Sequence, residues 1–502
     1  MKSKGNLRLI LAAALLIVLV PLTLVSCTGE QGVQGPAGAA GAPGAPGTSS
    51  GTLAGTVTDS LTKAAVAGVV ITTDPAVAGV TIQSDTSGKY TAALPIGSYT
   101  LTFTKAGFTS GTDKATLVAG QAATKNVALG PVSAIAAAQW KESLHGSYAA
   151  AIPRITSASC ARCHTGQGFM AWLKQGDLTK SLLGADGKTT ATAAELTALG
   201  LTADTVQPVT CTVCHDGDPT VAKLRIEGDT AMLPAGFKAT AVGDGALCIT
   251  CHNTRNLAHN NFNAPTAYSA PHQAAQGDVL MGENAYFVSE SQRSAHSYIK
   301  DTCAYCHMVA SPPPAESSYL GGTNHGFEAS TAICSQCHSA TLDATALQAG
   351  IEAKLLKLGE KMGAYLLSKM SAQVHIKDYT PHTYQSKSYD VKSNDMTVDK
   401  ANIVAVESVE PHGQQGFILK FKTPVTFTYA PTGEAVHTVS LAEAEVQLGD
   451  FTTDGTAKLV AFTDPLVKAG WNYFLIHGDA SEGIHNPAFV NAVLDASIAA
   501  LK

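Results

Sequence analysis

Ten of the eleven cysteines fall into five identical frames: Cys160-Ala-Arg-Cys163-His164, Cys211-Thr-Val-Cys214-His215, Cys248-Ile-Thr-Cys251-His252, Cys303-Ala-Tyr-Cys306-His307 and Cys334-Ser-Gln-Cys337-His338. Two thiols three positions apart fit on one helical turn and can reach both vinyl groups of a single porphyrin. The histidine that follows is then set under the iron as proximal ligand. The frames therefore predict five covalently attached haem c groups. Zinc sites and redox disulfides also use CxxC spacings, but neither explains a histidine directly after the second cysteine in all five. Only Cys27 stands outside the pattern.

Iron has a second axial position, and the 16 histidines can be audited against it. Beyond the five proximal ones stand His145, His259, His272, His296, His325, His375, His382, His412, His437, His477 and His485. His145, His296 and His325 lie fifteen, seven and nine positions before Cys160, Cys303 and Cys334. This upstream placement is similar to bis-histidine multihaem cytochromes, where such a histidine commonly ligates a neighbouring haem; the competing role is a surface or core histidine. Of His259 and His272, which follow the third frame, His272 in SAPHQ is favoured. Met308 adjoins a proximal histidine and cannot reach the opposite face of the same haem. No histidine lies between His164 and Cys211, which leaves room for a haem with no nearby distal donor.

The stretch from Trp471 to Lys502 resembles the closing segment of several multihaem cytochromes, on Asp479, Ser481, Gly483, Ile484, His485, Asn486 and Pro487. The resemblance implies that His485 is an axial ligand rather than a helix cap; His477 carries less weight.

The five frames occupy 160–338, or 179 positions, about 36 per haem. So few residues cannot wrap each porphyrin separately, so the haems must pack against one another and supply apolar planes that a 6% aromatic content does not. Close haem edges make a path for stepwise electron transfer, with potentials tuned by ligand, burial and nearby charge.

The flanking elements must hold this array. Lys2, Lys4 and Arg8 precede an apolar run ending in Leu24-Val25-Ser26-Cys27, which resembles a bacterial lipobox. The expectation is a signal peptide over 1–26 and lipidation of Cys27; an uncleaved anchor would need about 20 apolar residues. The resemblance, with Thr28 rather than aspartate next, implies an outer-membrane lipoprotein. Removing Lys2, Lys4 and Arg8 with the signal would take the formal charge from −6 to −9. Glycine at every third position from Gly29 to Gly47 reads as an extended tether over 27–50 rather than a collagen helix.

Residues 51–131 alternate as short strands require and lack cysteine and histidine. Gly55-x-Val57-x-Asp59, Asp85-x-x-Gly88-x-Tyr90, Leu94-Pro95-x-Gly97-x-Tyr99 and Gly107-Phe108 resemble the carboxypeptidase-regulatory or transthyretin-like sandwich. Gly88 and Gly97 are expected at positive-φ turns, with Tyr90 and Tyr99 inside. The predicted architecture is multidomain, an N-terminal β-sandwich followed over 132–502 by a mainly α, haem-packed cytochrome domain. Within it fall a helix over 345–371, a β-insert over about 400–465 and a C-terminal helix over 487–501. His412 and His437 are expected to face solvent on the insert.

With 14% charged and 45% hydrophobic residues, neither disorder nor a polytopic membrane protein fits, and a formal charge of −6 gives no basic excess for nucleic acid. No nucleotide loop, Ser-His-Asp set or zincin motif stands out. The whole resembles surface-exposed multihaem lipoproteins of metal-reducing bacteria, although their ten haems and paired domains do not map onto this chain. That implies electron transfer among other redox proteins, an outer-membrane conduit and an extracellular acceptor. A second resemblance, to pentahaem nitrite reductase and hydroxylamine-processing multihaem proteins, implies an oxidoreductase with one open haem, although the CxxCK frame of that reductase is missing. A third possibility makes the sandwich an adhesive module with haems for local redox contact.

Overall fold

The computed structural model describes residues 49–502 except 61, 106, 109, 217–222, 256–264, 310–323, 330, 339–341, 380–393, 410–412 and 430–436. The expected signal, Cys27 and nearly all of the tether lie outside the described residues, as do His259, His382 and His412.

Strands β1 (Ser50–Asp59), β2 (Val70–Asp74), β3 (Ile82–Gln83), β4 (Lys89–Pro95), β5 (Gly97–Thr104), β6 (Gly111–Leu117), β7 (Ala122–Thr124) and β8 (Val127–Leu129) form two sheets. One runs β4-β1-β7 with β8 also on β1, and the other β3-β2-β5-β6. The period-2 pattern turns Leu53, Val57, Leu101 and Phe103 inward, all fully buried. Tyr90 and Tyr99 are also buried, and their hydroxyls donate to Lys125 O at 2.7 Å and Pro95 O at 2.9 Å. Burial, with Asp113 adding to it, pushes the Tyr90 phenol up to about 12. Gly88 has φ +73°, and a Cβ there would stand 2.4 Å from Val57 O, so this turn needs glycine on two counts.

From Val132 to the fifth frame the chain forms short helices joined by irregular segments. Two small cores lie among them, one around Phe169, Trp172 and Leu196, the other around Leu233, Val242 and Ile249. Cys163, Cys214 and Cys251 rim the first core and Cys303 the second.

The largest core gathers behind the last frame. The helix Ala344–Lys369, capped by Asp343 through Ala346 N at 2.9 Å, buries Ile351, Leu358, Met362 and Leu366. It packs on the helices Pro465–Asp479 and Pro487–Ala500. The first of these was not anticipated, although Asp464 as N-cap followed by Pro465 is a start signal. Its Trp471 Nε1 donates to Asn284 O at 2.7 Å, and Asn472 bonds both Tyr286 N and Tyr286 O. This ladder ties the helix to the segment before the fourth frame.

The β region starts earlier than expected. Strands β9 (Gln373–Tyr379) and β10 (Asn394–Asp399) precede β11 (Ile403–Val409), β12 (Gly416–Tyr429), β13 (His437–Gln447) and β14 (Phe451–Thr452). They form two three-stranded sheets, β10-β9-β14 and β11-β12-β13. Residues 132–502 are thus mixed helix and sheet rather than mainly α. The extra strands were hidden because β9 follows a long helix after only three residues, Met370, Ser371 and Ala372, of weak pattern. No described helix is long and apolar enough to cross a membrane.

Candidate metal centres

Four of the five frames lie on helical turns: Ala158–His164, Cys211–Cys214 with His215 as its C-cap, Gly245–Cys251 with His252 as its C-cap, and Cys303–His307. The fifth is on the 3-10 segment Thr331–Gln336, with Cys337 and His338 just beyond. Ser157 caps the first turn through Cys160 N. None of the ten described cysteines is in a disulfide. Cysteines from different frames come together: Cys163 lies beside Cys251, and Cys248 beside Cys303.

Each histidine that ends a frame faces one other histidine across a narrow gap. His164 faces His272 at 6.2 Å between ring centroids, His215 faces His325 at 6.4 Å, and His252 faces His145 at 6.0 Å. His307 faces His485 at 6.2 Å and His338 faces His296 at 6.0 Å. A metal–nitrogen bond of about 2 Å and ~1.1 Å from nitrogen to ring centre, doubled, comes to roughly 6.2 Å, so each gap has room for one iron. The residues therefore fit the group that the frames imply. The five partners are His145, His272, His296, His325 and His485, the same five singled out in the sequence. None of the upstream histidines faces the frame it precedes: His145 meets the third, His296 the fifth and His325 the second. The gap in histidines between His164 and Cys211 is bridged over long range, since His272 and His325 come to the first two frames.

Most of these imidazoles are held neutral, the form that binds metal. Burial, with His252 nearby, pushes His145 down to about 4; burial, then Arg255 and Arg154, does the same to His164. Burial also lowers His215, His252, His307 and His325. For His485 burial acts downward too, but Asp479 outweighs it and the net direction is up.

The far ring nitrogens are oriented by neighbours. His252 Nδ1 lies 3.2 Å from Gln276 Oε1, His307 Nδ1 is 3.0 Å from Phe327 O, and His296 Nδ1 is 2.8 Å from Ile484 O. His485 Nδ1 is 2.6 Å from a carboxylate oxygen of Asp479. His215 Nδ1 and His272 Nδ1 are buried with no partner among the described residues. Gln276 and Phe327 carried no sequence signal. Asp479 lay in the closing segment that suggested His485, at a spacing that puts it across a turn.

The remaining described histidines, His375, His437 and His477, lie apart from this set. His477 stacks on Tyr473 at 6.1 Å, and His375 Nδ1 lies 3.2 Å from Thr397 Oγ1 in the β10-β9 pair. His437 opens β13.

Residues 52–130 match the carboxypeptidase regulatory-like domain, which agrees with the expected sandwich. No curated protein matches the chain by sequence. Among solved structures, the outer cell wall cytochrome OcwA is 16% identical at a TM-score of 0.36, covering 72% of this chain and 50% of its own. The Bacillus anthracis TIE protein is 19% identical at TM-score 0.15, covering 16% of this chain and 17% of its own. GBS52, a minor pilin of Streptococcus agalactiae, is 20% identical at TM-score 0.15, covering 16% and 45%. The chain thus spans half or less of the length of these solved structures.

Proposed function

We propose that this chain is a multihaem c-type cytochrome that carries electrons. It holds five haem c groups by thioether bonds from the five cysteine pairs. In this reading each iron would be held between two histidines: His164 and His272, His215 and His325, His252 and His145, His307 and His485, and His338 and His296. The observation that carries it is the ring pairing: five frame histidines, five partners, and five gaps sized for one metal. Bound haem supplies reversible one-electron chemistry at these positions. The chain's own residues would hold each iron between two imidazoles and bring the frames close together, as the neighbouring Cys163–Cys251 and Cys248–Cys303 support.

The same pairing weighs against a nitrite-reductase-like enzyme, which needs an open axial position. Lipidation at Cys27 and the Gly/Pro tether would present the protein at the outer membrane or cell surface. Its partners would be other redox proteins, an outer-membrane conduit and an extracellular acceptor, and nucleic acid is not among them.

The test is haem stoichiometry and spin state of the purified protein. Pyridine haemochrome is expected to give five haems per chain, and EPR five low-spin ferric centres. Fewer than five haems, or a high-spin centre with nitrite or hydroxylamine turnover, would overturn the reading.

A further inference from the structure

Asp479 ends the helix Pro465–Asp479 with its side chain fully shielded from solvent, and one of its oxygens is 2.6 Å from His485 Nδ1. The other accepts from the Ser481 hydroxyl, and Ser481 Oγ in turn accepts from His485 N at 3.1 Å. The turn between them is fixed. Ala480 and Glu482 stand at φ +56° and +51°, and Gln276 Nε2 donates to Asp479 O at 3.1 Å. A carboxylate held this way cannot swing away from the ring.

Resting on the cytochrome reading, we infer that Asp479 is a positioning residue that lowers the potential of the haem at Cys303 and Cys306, by taking the hydrogen bond from His485 Nδ1. The other Nδ1 partners in view, Gln276 Oε1, Phe327 O and Ile484 O, are neutral acceptors. A charge-assisted bond is about twice as strong as a neutral one, and shielding from water strengthens it further. Drawing the Nδ1 proton toward Asp479 makes Nε2 a better electron donor to iron. A more basic axial ligand favours the oxidised metal and lowers the potential of that one site.

The experiment uses the full-length, haem-loaded protein, with redox titration followed by optical and EPR spectra. In Asp479→Asn, one of five midpoints should move to higher potential while four stay, with five low-spin haems retained. In Ser481→Ala the carboxylate loses its competing donor, so the same component should move to lower potential. Opposite signs at the two variants distinguish electronic tuning from simple support. Unchanged midpoints in both variants, or shifts of the same sign, would overturn the inference. Should Asp479→Asn fail to fold, the sign of the Ser481→Ala shift decides alone. Fewer than five haems in the unmodified protein would instead defeat the cytochrome reading, and this inference with it.

Discussion

The ring of Phe327 meets the ring of His145 edge-on, with centroids 4.5 Å apart and planes at 86°. The same ring stands 6.0 Å from that of His325, and the Phe327 carbonyl oxygen is the Nδ1 partner of His307. One residue, held at φ +63°, therefore touches an imidazole from each of three different facing pairs.

Phe327→Ala is accordingly expected to alter two sites and spare a third. Loss of the ring removes packing from His145 and His325, whereas the carbonyl bond to His307 survives. An edge-to-face aromatic pair is worth about 1 kcal/mol beyond buried area. EPR should show changed or heterogeneous signals for the haems at Cys248/Cys251 and Cys211/Cys214, with the signal from Cys303/Cys306 preserved.

Replacing His145 by Ala should leave five haems per chain and convert one to a high-spin, five-coordinate form that binds carbon monoxide. The partner is His252, so the affected haem should be the third in sequence rather than the first. A mapped change at the first frame, or none anywhere, would contradict the pairing.

How much of this was legible beforehand differs by range. The five frames and the sandwich were readable because their signals are local: a five-residue spacing, and alternation with glycine at turns such as Gly88. The five histidines that face the frames were already singled out, but which faces which was not. His485 joins His307 and His272 joins His164 across long stretches of chain, and only tertiary packing fixes such pairs. The helix Pro465–Asp479 was missed because its residues are apolar nearly all round, with Trp471, Leu475 and Ile476 all buried, so no amphipathic stripe marked it.

Asp278 gives a pH prediction away from the imidazoles. Burial lifts its carboxyl from 3.8 to about 7, although Asn284 and Thr254 donate to it. The folded protein then holds one more proton than the unfolded chain between roughly pH 4 and 7, so stability falls as pH rises through that window and levels off above it. The full effect is on the order of 4 kcal/mol. Denaturant midpoints measured from pH 4 to 8 should decline accordingly, and Asp278→Asn should remove that contribution.

In the sandwich, Gly88→Ala combines a positive φ with a Cβ 2.4 Å from Val57 O. The left-handed backbone alone costs about 1 kcal/mol or more, and the clash adds to it. Calorimetry should show this domain melting earlier while the optical spectrum of the haems stays unchanged, since residues 51–131 contain no cysteine or histidine.

The crossed pairing has a consequence in time. The first frame waits for His272, the second for His325, the third is served by a histidine that emerged before it, and the fourth waits for His485, near the end of the sequence. In the cytochrome reading, ligation cannot finish in the order in which the frames appear. In that reading the fourth centre closes last, when Asp479 and His485 arrive together, so a chain interrupted before them would carry all ten frame cysteines and still leave one metal exposed to passing ligands.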